Sequence, residues 1–289
     1  MADPISTREE FVRRPAAEAD RGVVEKPLSS WERIYNLTAL RKFAILVLLA
    51  AAWEIYARWL HNPLLFPTFS ATVQAFVDGI AHGALLERAW TSIRVLLIGY
   101  GAGILAAALL TVVAISSRIG TDLLETLTSM FNPLPAIALL PLALIWFGLG
   151  AASIVFVLIH SVLWAVALNT HSGFLAVSNT LRMVGRNYGL RGLGYVGRIL
   201  IPAAFPSILT GFKIGWAFAW RTLIAAELVF GVSSGSGGLG WFIYENKNQL
   251  EIPSVFAGLL TVIVIGLLVE NVIFRTVEIR TVRRWGMQS

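Results

Sequence analysis

Cysteine is absent from the 289 residues, which excludes a disulfide framework, a thiolate metal site and a thiol nucleophile. Charge is scarce too. Only 14% of residues are charged and 56% are hydrophobic, against roughly 25% charged in ordinary soluble domains, so water is not the main solvent of this chain. No GxxxxGK[ST] stretch occurs, which removes ATP hydrolysis by the Walker route. The histidines, His61, His82, His160 and His171, are dispersed without HExxH spacing, so they form no recognisable ligand set for a membrane metalloenzyme. The net charge of +6 would point to nucleic acid in a soluble protein. In a chain this apolar the basic residues read instead as topology signals facing anionic cytoplasmic lipid, and no nucleic-acid partner is expected.

What the chain has in abundance is apolar runs. Crossing a bilayer takes about 20 residues, and stretches of that order occur at 43–60, 95–115, within 123–147, and at 154–168, 207–230 and 255–274. The pattern predicts an all-α integral membrane protein with about six spans. Pro133, Pro135 and Pro141 fall in the third, each removing a backbone donor, so its lower half is expected to be a separate helix. Residues 1–40 mix arginines with acids and lack the apolar core of a signal peptide. They read as a soluble cytoplasmic tail, its last part a helix on the membrane surface around Trp31 to Leu40, ahead of a membrane domain over 41–289.

Basic residues alternate between loops. Arg41 and Lys42 precede the first span, Arg118 follows the second, Arg182, Arg186, Arg191 and Arg198 lie between the fourth and fifth, and Arg280, Arg283 and Arg284 come near the end. The positive-inside rule then places both termini and the 180–202 loop in the cytoplasm.

That loop opens the stretch GRNYGLRGLGYVGRILIPAAFPSILTGF, residues 185–212, which holds no acidic side chain. Gly192, Gly194 and Gly197 spell GxGxxG there, as do Gly235, Gly237 and Gly240 in GSGGLG. That motif binds a dinucleotide only between a strand and a helix of a βαβ unit, and both copies are flanked by membrane spans. A better reading is two short helices. Leu181 to Tyr188 forms one, ended by Gly189 as a left-handed cap, and Gly192 to Leu200 forms another, stopped by Pro202.

Gly189, nine residues, then Ile199, Leu200, Ile201 and Pro202 resembles the cytoplasmic loop of binding-protein-dependent ABC importer permeases, whose pattern is EAA, three residues, G, nine residues, IxLP. Met183, Val184 and Gly185 stand where that family has EAA, and Ile201 where it has leucine. PLPAIALLPLALIWFGLG at 133–150 is similar to the third span of the nitrate, sulfonate, taurine and bicarbonate branch. Asn169 and Thr170, ILTGFKIGWAFAW at 208–220, AAE at 225–227 and GLG at 238–240 are likewise similar to it. The resemblance covers roughly residues 45–285 and implies a type I importer fold. It also implies a second permease chain, expected to be a copy of this one, two ATP-binding subunits carrying ATP and Mg, and an extracytoplasmic solute-binding protein. The chain itself would be a non-catalytic, multi-pass subunit of the bacterial cytoplasmic (inner) membrane, with no cofactor of its own. Within the loop, Arg186, Tyr188, Gly189, Leu190, Arg191 and Pro202 are the candidates for coupling to the ATPase.

An ionisable group at the bilayer centre costs about 2.5 to 3.5 kcal/mol on insertion scales, so those inside spans face protein or a wet cavity. Arg221 and Glu227 both lie within the fifth span, six residues apart and about 120° out of register, so each is expected to find its own partner. Arg221 is read as facing the translocation path and supplying a positive field for an anion; Glu227, at the AAE position, as structural or gating. His160 and Trp164 share one face of the fourth span, with Asn169 below. His160, Trp164, Asn169, Trp220, Arg221 and Glu227 make up the candidate pathway. The alternative is a self-sufficient secondary transporter, which commonly shows inverted repeats; the first and last three spans show no convincing pairing. Nitrate, bicarbonate, an alkanesulfonate, taurine and an aromatic acid all remain open as solutes.

Overall fold

A computed structural model describes residues 36–230, 237–284 and 286. Residues 1–35 of the expected tail, including the Trp31 end of its surface helix, lie outside the described residues, as does Gly235 of the second glycine motif, and Thr38–Leu40 open the first long helix. Two units divide the chain, Met1–Ala51 and Ala52–Ser289. The described part of the first is the opening of helix α1 (Thr38–Leu60), where Arg41 Nη2 donates to Thr38 Oγ1 at 3.4 Å.

Helices and short turns make up the second unit, with no strand among its described residues. It contains α2 (Phe69–Ala81), α3 (Leu85–Ser116), α4 (Arg118–Phe131), α5 (Leu140–Phe147) and α6 (Ala151–Ala176). These are followed by α7 (Asn179–Asn187), α8 (Gly192–Tyr195), α9 (Ile201–Phe230), α10 (Leu239–Asn248) and α11 (Ile252–Leu268), the last extended by alternating π and α turns to Arg283. Among the described residues five helical stretches are long and apolar enough to cross a membrane, six if α4 and the 136–147 segment count as one broken span. The break is sharp, 87°, and its cause is the proline pair. Pro133 and Pro135 interrupt the ladder after α4, a 3-10 turn covers Ala136–Leu139, and Pro141 sits in the first turn of α5, where no donor is needed. The expected separate lower helix is α5.

At the centre α6 runs between α3 and α9, and it gets close to α3 through small residues. A Cβ at Gly99 would come within 2.6 Å of Leu158 Cβ, and one at Gly103 within 2.6 Å of Val162 Cβ. Lipid tails are as apolar as leucine, so helices in a membrane associate by tight packing and interhelical hydrogen bonds rather than by the hydrophobic effect. Those bonds are present: Tyr100 Oη donates to the Phe212 carbonyl at 2.9 Å, Ser161 Oγ to Thr222 Oγ1 at 3.0 Å, and Trp220 Nε1 to the Val262 carbonyl at 3.3 Å. Lys213 pairs with Glu278 at 2.6 Å and ties α9 to the chain's last helix. Gly103→Val is expected to destabilise the unit by about 1–3 kcal/mol through overpacking against Val162, which the unfolding midpoint of the purified chain in detergent would register.

One expectation needs correction. Pro202 does not stop the second loop helix, because the chain passes from α8 through a π turn (Val196–Leu200) directly into α9. In that turn the Ile201 N–H reaches back to the Val196 carbonyl, shifting the ladder by one residue. Pro202 follows in the first turn of α9, where its missing donor is tolerated. The fifth span is therefore longer than hydropathy alone indicates.

Candidate functional site

Three groups of the expected residues occupy three different levels of the second unit. The first is a cleft of about 350 Å³ between the α4–α5 break, α6 and α9. His160, Trp164 and Arg221 meet on its wall, beside Ser161 and Thr222 and the backbone of Asn132–Ile137. Irregular backbone at membrane depth is tolerated where it borders such a cavity. Both ring nitrogens of His160 and the Trp164 Nε1 are buried and have no hydrogen-bond partner among the described residues. A buried polar group left unmatched costs on the order of 1–3 kcal/mol, so the Trp164 N–H is a donor awaiting an acceptor and the His160 ring offers one donor and one acceptor nitrogen when neutral. Arg221 commits Nε to the Ala217 carbonyl at 3.0 Å and lies over the Phe218 ring at 5.6 Å, while its side chain stays exposed. No acidic side chain among the described residues borders the cleft. Indeed no Asp or Glu occurs between Glu125 and Glu227.

Phe131 packs on two residues of the cleft wall, stacking on Trp164 at 5.6 Å and 10° and meeting His160 edge-on at 6.5 Å. Sequence spacing gives no sign of this contact, because it joins two different helices, α4 and α6. Asn169 and Trp220 are not on this wall. Asn169 donates to the Ala165 carbonyl of its own helix at 2.8 Å, and Trp220 is buried in the core, stacked on Trp216 at 6.5 Å.

Glu227 belongs to the second group. Its carboxylate is buried and accepts the Ser92 hydroxyl, with Oγ 2.8 Å from both oxygens, and the Gly240 N–H at 2.9 Å. Ser92 Oγ in turn accepts the Leu239 N–H at 2.8 Å. The acid thus sits at the N-terminus of α10, where backbone donors and the helix dipole favour negative charge, and it joins α3, α9 and α10 at one point. A Cβ at Gly238 would overlap both Glu227 Oε1 and Ser92 Oγ, so glycine is needed there. Arg88, one turn from Ser92, holds the same turn through the Gly237 carbonyl at 2.9 Å. Arg221 and Glu227 do not pair, in line with their register.

At the opposite ends of α6 and α9 lies the third group, the 177–200 loop. Ser178 caps α7, accepting from the Leu181 N–H, and Gly189 ends the segment at φ 72°, a backbone conformation that a Cβ disfavours. Its N–H reaches the Arg186 carbonyl at 2.9 Å, and the Leu190 N–H reaches Gly185 at 3.0 Å. Gly185 is buried, and a Cβ there would come within 2.9 Å of Tyr195 and Ile199, so the two loop helices pack through it. The outer face is different: Met183, Val184 and Tyr188 are exposed, Tyr188 at 82%. Arg186 and Arg191 are exposed as well, Leu190 is half-buried, and Pro202 lies in α9. An apolar, basic face on a segment outside the spans is a surface suited to another protein.

The binding-protein-dependent transport system inner membrane component family matches residues 99–277, more than half of the chain. The chain belongs to that family. Among its relatives, a putative ABC transporter permease protein of Methanocaldococcus jannaschii is 29% identical, covering 80% of this chain and 86% of its own. The nitrate import permease protein NrtB of Synechocystis is 28% identical, covering 83% and 88%. The putative aliphatic sulfonates transport permease protein SsuC of Escherichia coli is 28% identical, covering 77% and 83%. The chain is thus a multi-pass permease of the ABC importer class, and its all-helical architecture agrees with the type I permease fold.

Proposed function

We propose that this permease, paired with a second copy, forms the path of an importer for a small inorganic or organic anion. The observation that carries the reading is the cleft, where the Arg221 guanidinium, the Trp164 N–H and His160 face one space with no acid on its wall. Its volume of about 350 Å³ is within the roughly 300–1,000 Å³ common for small-molecule sites. Nitrate and sulfonates, named for two relatives, share anionic oxygens that such donors suit. On this reading the 177–200 loop is held in the cytoplasm by ATP-hydrolysing subunits that carry ATP and Mg. Both termini face the cytoplasm, and a solute-binding protein delivers the anion from outside. The chain itself performs no chemistry.

Arg221→Gln removes the cation while keeping much of the side chain's length. Uptake of the transported anion, found by screening nitrate, an alkanesulfonate and taurine, is expected to fall at least about tenfold, since a hydrogen bond to a charged group contributes about 1.5–3 kcal/mol. Unchanged uptake at normal protein level would sink the assignment.

A further inference from the structure

Two clefts adjoin at the loop end of the second unit. The larger, about 710 Å³, lies between the α3–α4 corner, the last turns of α6 and the loop helices. Arg118, Arg182, Arg186 and His171 are on its wall together with hydroxyl groups of the α3–α4 corner, and no acidic side chain among the described residues is. The smaller, about 300 Å³, is almost wholly apolar, bounded by α3, α6, the π turn and α9. Val112, Phe174 and Val196 belong to both walls, so a basic, polar compartment opens beside an oily one.

The basic compartment is not neutralised by any of the described residues. Arg182 is fixed by donating to the Phe174 carbonyl at 2.5 Å and the Val177 carbonyl at 3.1 Å, which caps the end of α6 and leaves its charge in place. Neither Arg118 nor Arg186 joins an ion pair among the described residues. His171 is 4% exposed, faces this cleft and makes no hydrogen bond among the described residues. A free oxyanion would satisfy these cations and leave the neighbouring apolar compartment without an occupant. A neutral lipid would fill the apolar compartment and leave the cations unmatched.

We propose that the two clefts together form a site for an anionic phospholipid, its phosphate held by Arg118, Arg186 and His171 and an acyl chain laid past Phe174 and Val196 between α3 and α9. The bound lipid bridges the N-terminal end of α4, the C-terminal end of α6 and the loop helices. The composition of the membrane then sets how firmly the loop is fixed to the bundle. The inference rests on the reading above in taking this end to meet the cytoplasmic leaflet and shares Arg186 with the loop's coupling candidates; its test reads lipid binding rather than transport, so either can fail without the other.

The full chain, purified and delipidated, is titrated with phosphatidylglycerol or phosphatidylcholine and analysed by native mass spectrometry. A preference for phosphatidylglycerol of about tenfold or more is expected, because its headgroup is a net anion facing several basic residues whereas the phosphate of phosphatidylcholine is offset by its own choline cation. Arg118→Gln with Arg186→Gln, both at exposed positions, should bring the two lipids to near parity. Ala108→Trp, which fills the apolar compartment from an exposed position, should weaken both. Equal binding by the unaltered chain, or a preference that survives the double substitution, would overturn the site. So would inorganic phosphate retained by the unaltered chain and lost in the double variant without any lipid preference, which would mark a free-anion site instead.

Discussion

Replacing Glu227 with alanine is expected to cost folded protein rather than transport rate alone. The carboxylate accepts from Ser92 and from the Gly240 N–H in a buried setting, and its removal leaves those donors unmatched beside a void. Each such loss is on the order of 1–3 kcal/mol, so the total is on the order of 3 kcal/mol, a large share of a domain's margin. Glu227→Gln keeps the volume but turns a donor toward Ser92, whose oxygen already accepts the Leu239 N–H, so it should fall between. Ser92→Ala combined with Glu227→Ala should cost less than the sum of the single changes, because the two groups act as a unit. The unfolding midpoint and protease resistance in detergent measure this. A Glu227→Ala chain as stable as its parent would show that the knot at the start of α10 is not structural.

Gly189→Leu is expected to leave membrane insertion intact and to lower ATP-driven uptake at least about tenfold, since a left-handed residue with a branched side chain costs roughly 1–2 kcal/mol. The strain falls where the chain reverses between α7 and α8, moving the face that carries Tyr188 relative to the bundle. Substitutions should rank by how well they accept φ 72°: asparagine mildest, alanine next, leucine worst. The spans do not depend on this turn, so protein level should be the same across the series. Normal uptake in the leucine variant would argue against a coupling role for the loop.

Much of the architecture was legible because the solvent imposes it. Apolar runs of bilayer length have few alternatives to helices, and Pro133 and Pro135 announced the α4–α5 break. The positive φ of Gly189 was likewise readable from its place between two short helices. Pro202 misled because a proline was read as a stop, when a preceding π turn had already shifted the ladder into which it fits. What could not be read was pairing across the chain. Glu227 finds Ser92, 135 residues away, and Phe131 of α4 stacks on Trp164 of α6, a meeting of two helices that no periodicity gives. His160, Trp164 and Arg221 each stood out, the first two sharing a helix face, but their convergence with Arg221 on one cleft depends on how α6 and α9 pack through small residues.

The central claim, that the 177–200 loop is gripped by an ATP-hydrolysing partner, can be tested through what the sequence lacks. Because the chain has no cysteine, Tyr188→Cys introduces a single thiol at a side chain that is 82% exposed. A bifunctional thiol- and amine-reactive reagent applied to native membranes should then join the chain to a protein bearing a Walker motif, identified by mass spectrometry, and the unaltered chain should give no such product. If instead no ATPase is captured, and a membrane-impermeant maleimide labels the introduced thiol from outside intact cells, the loop faces the wrong side and the account of coupling is contradicted.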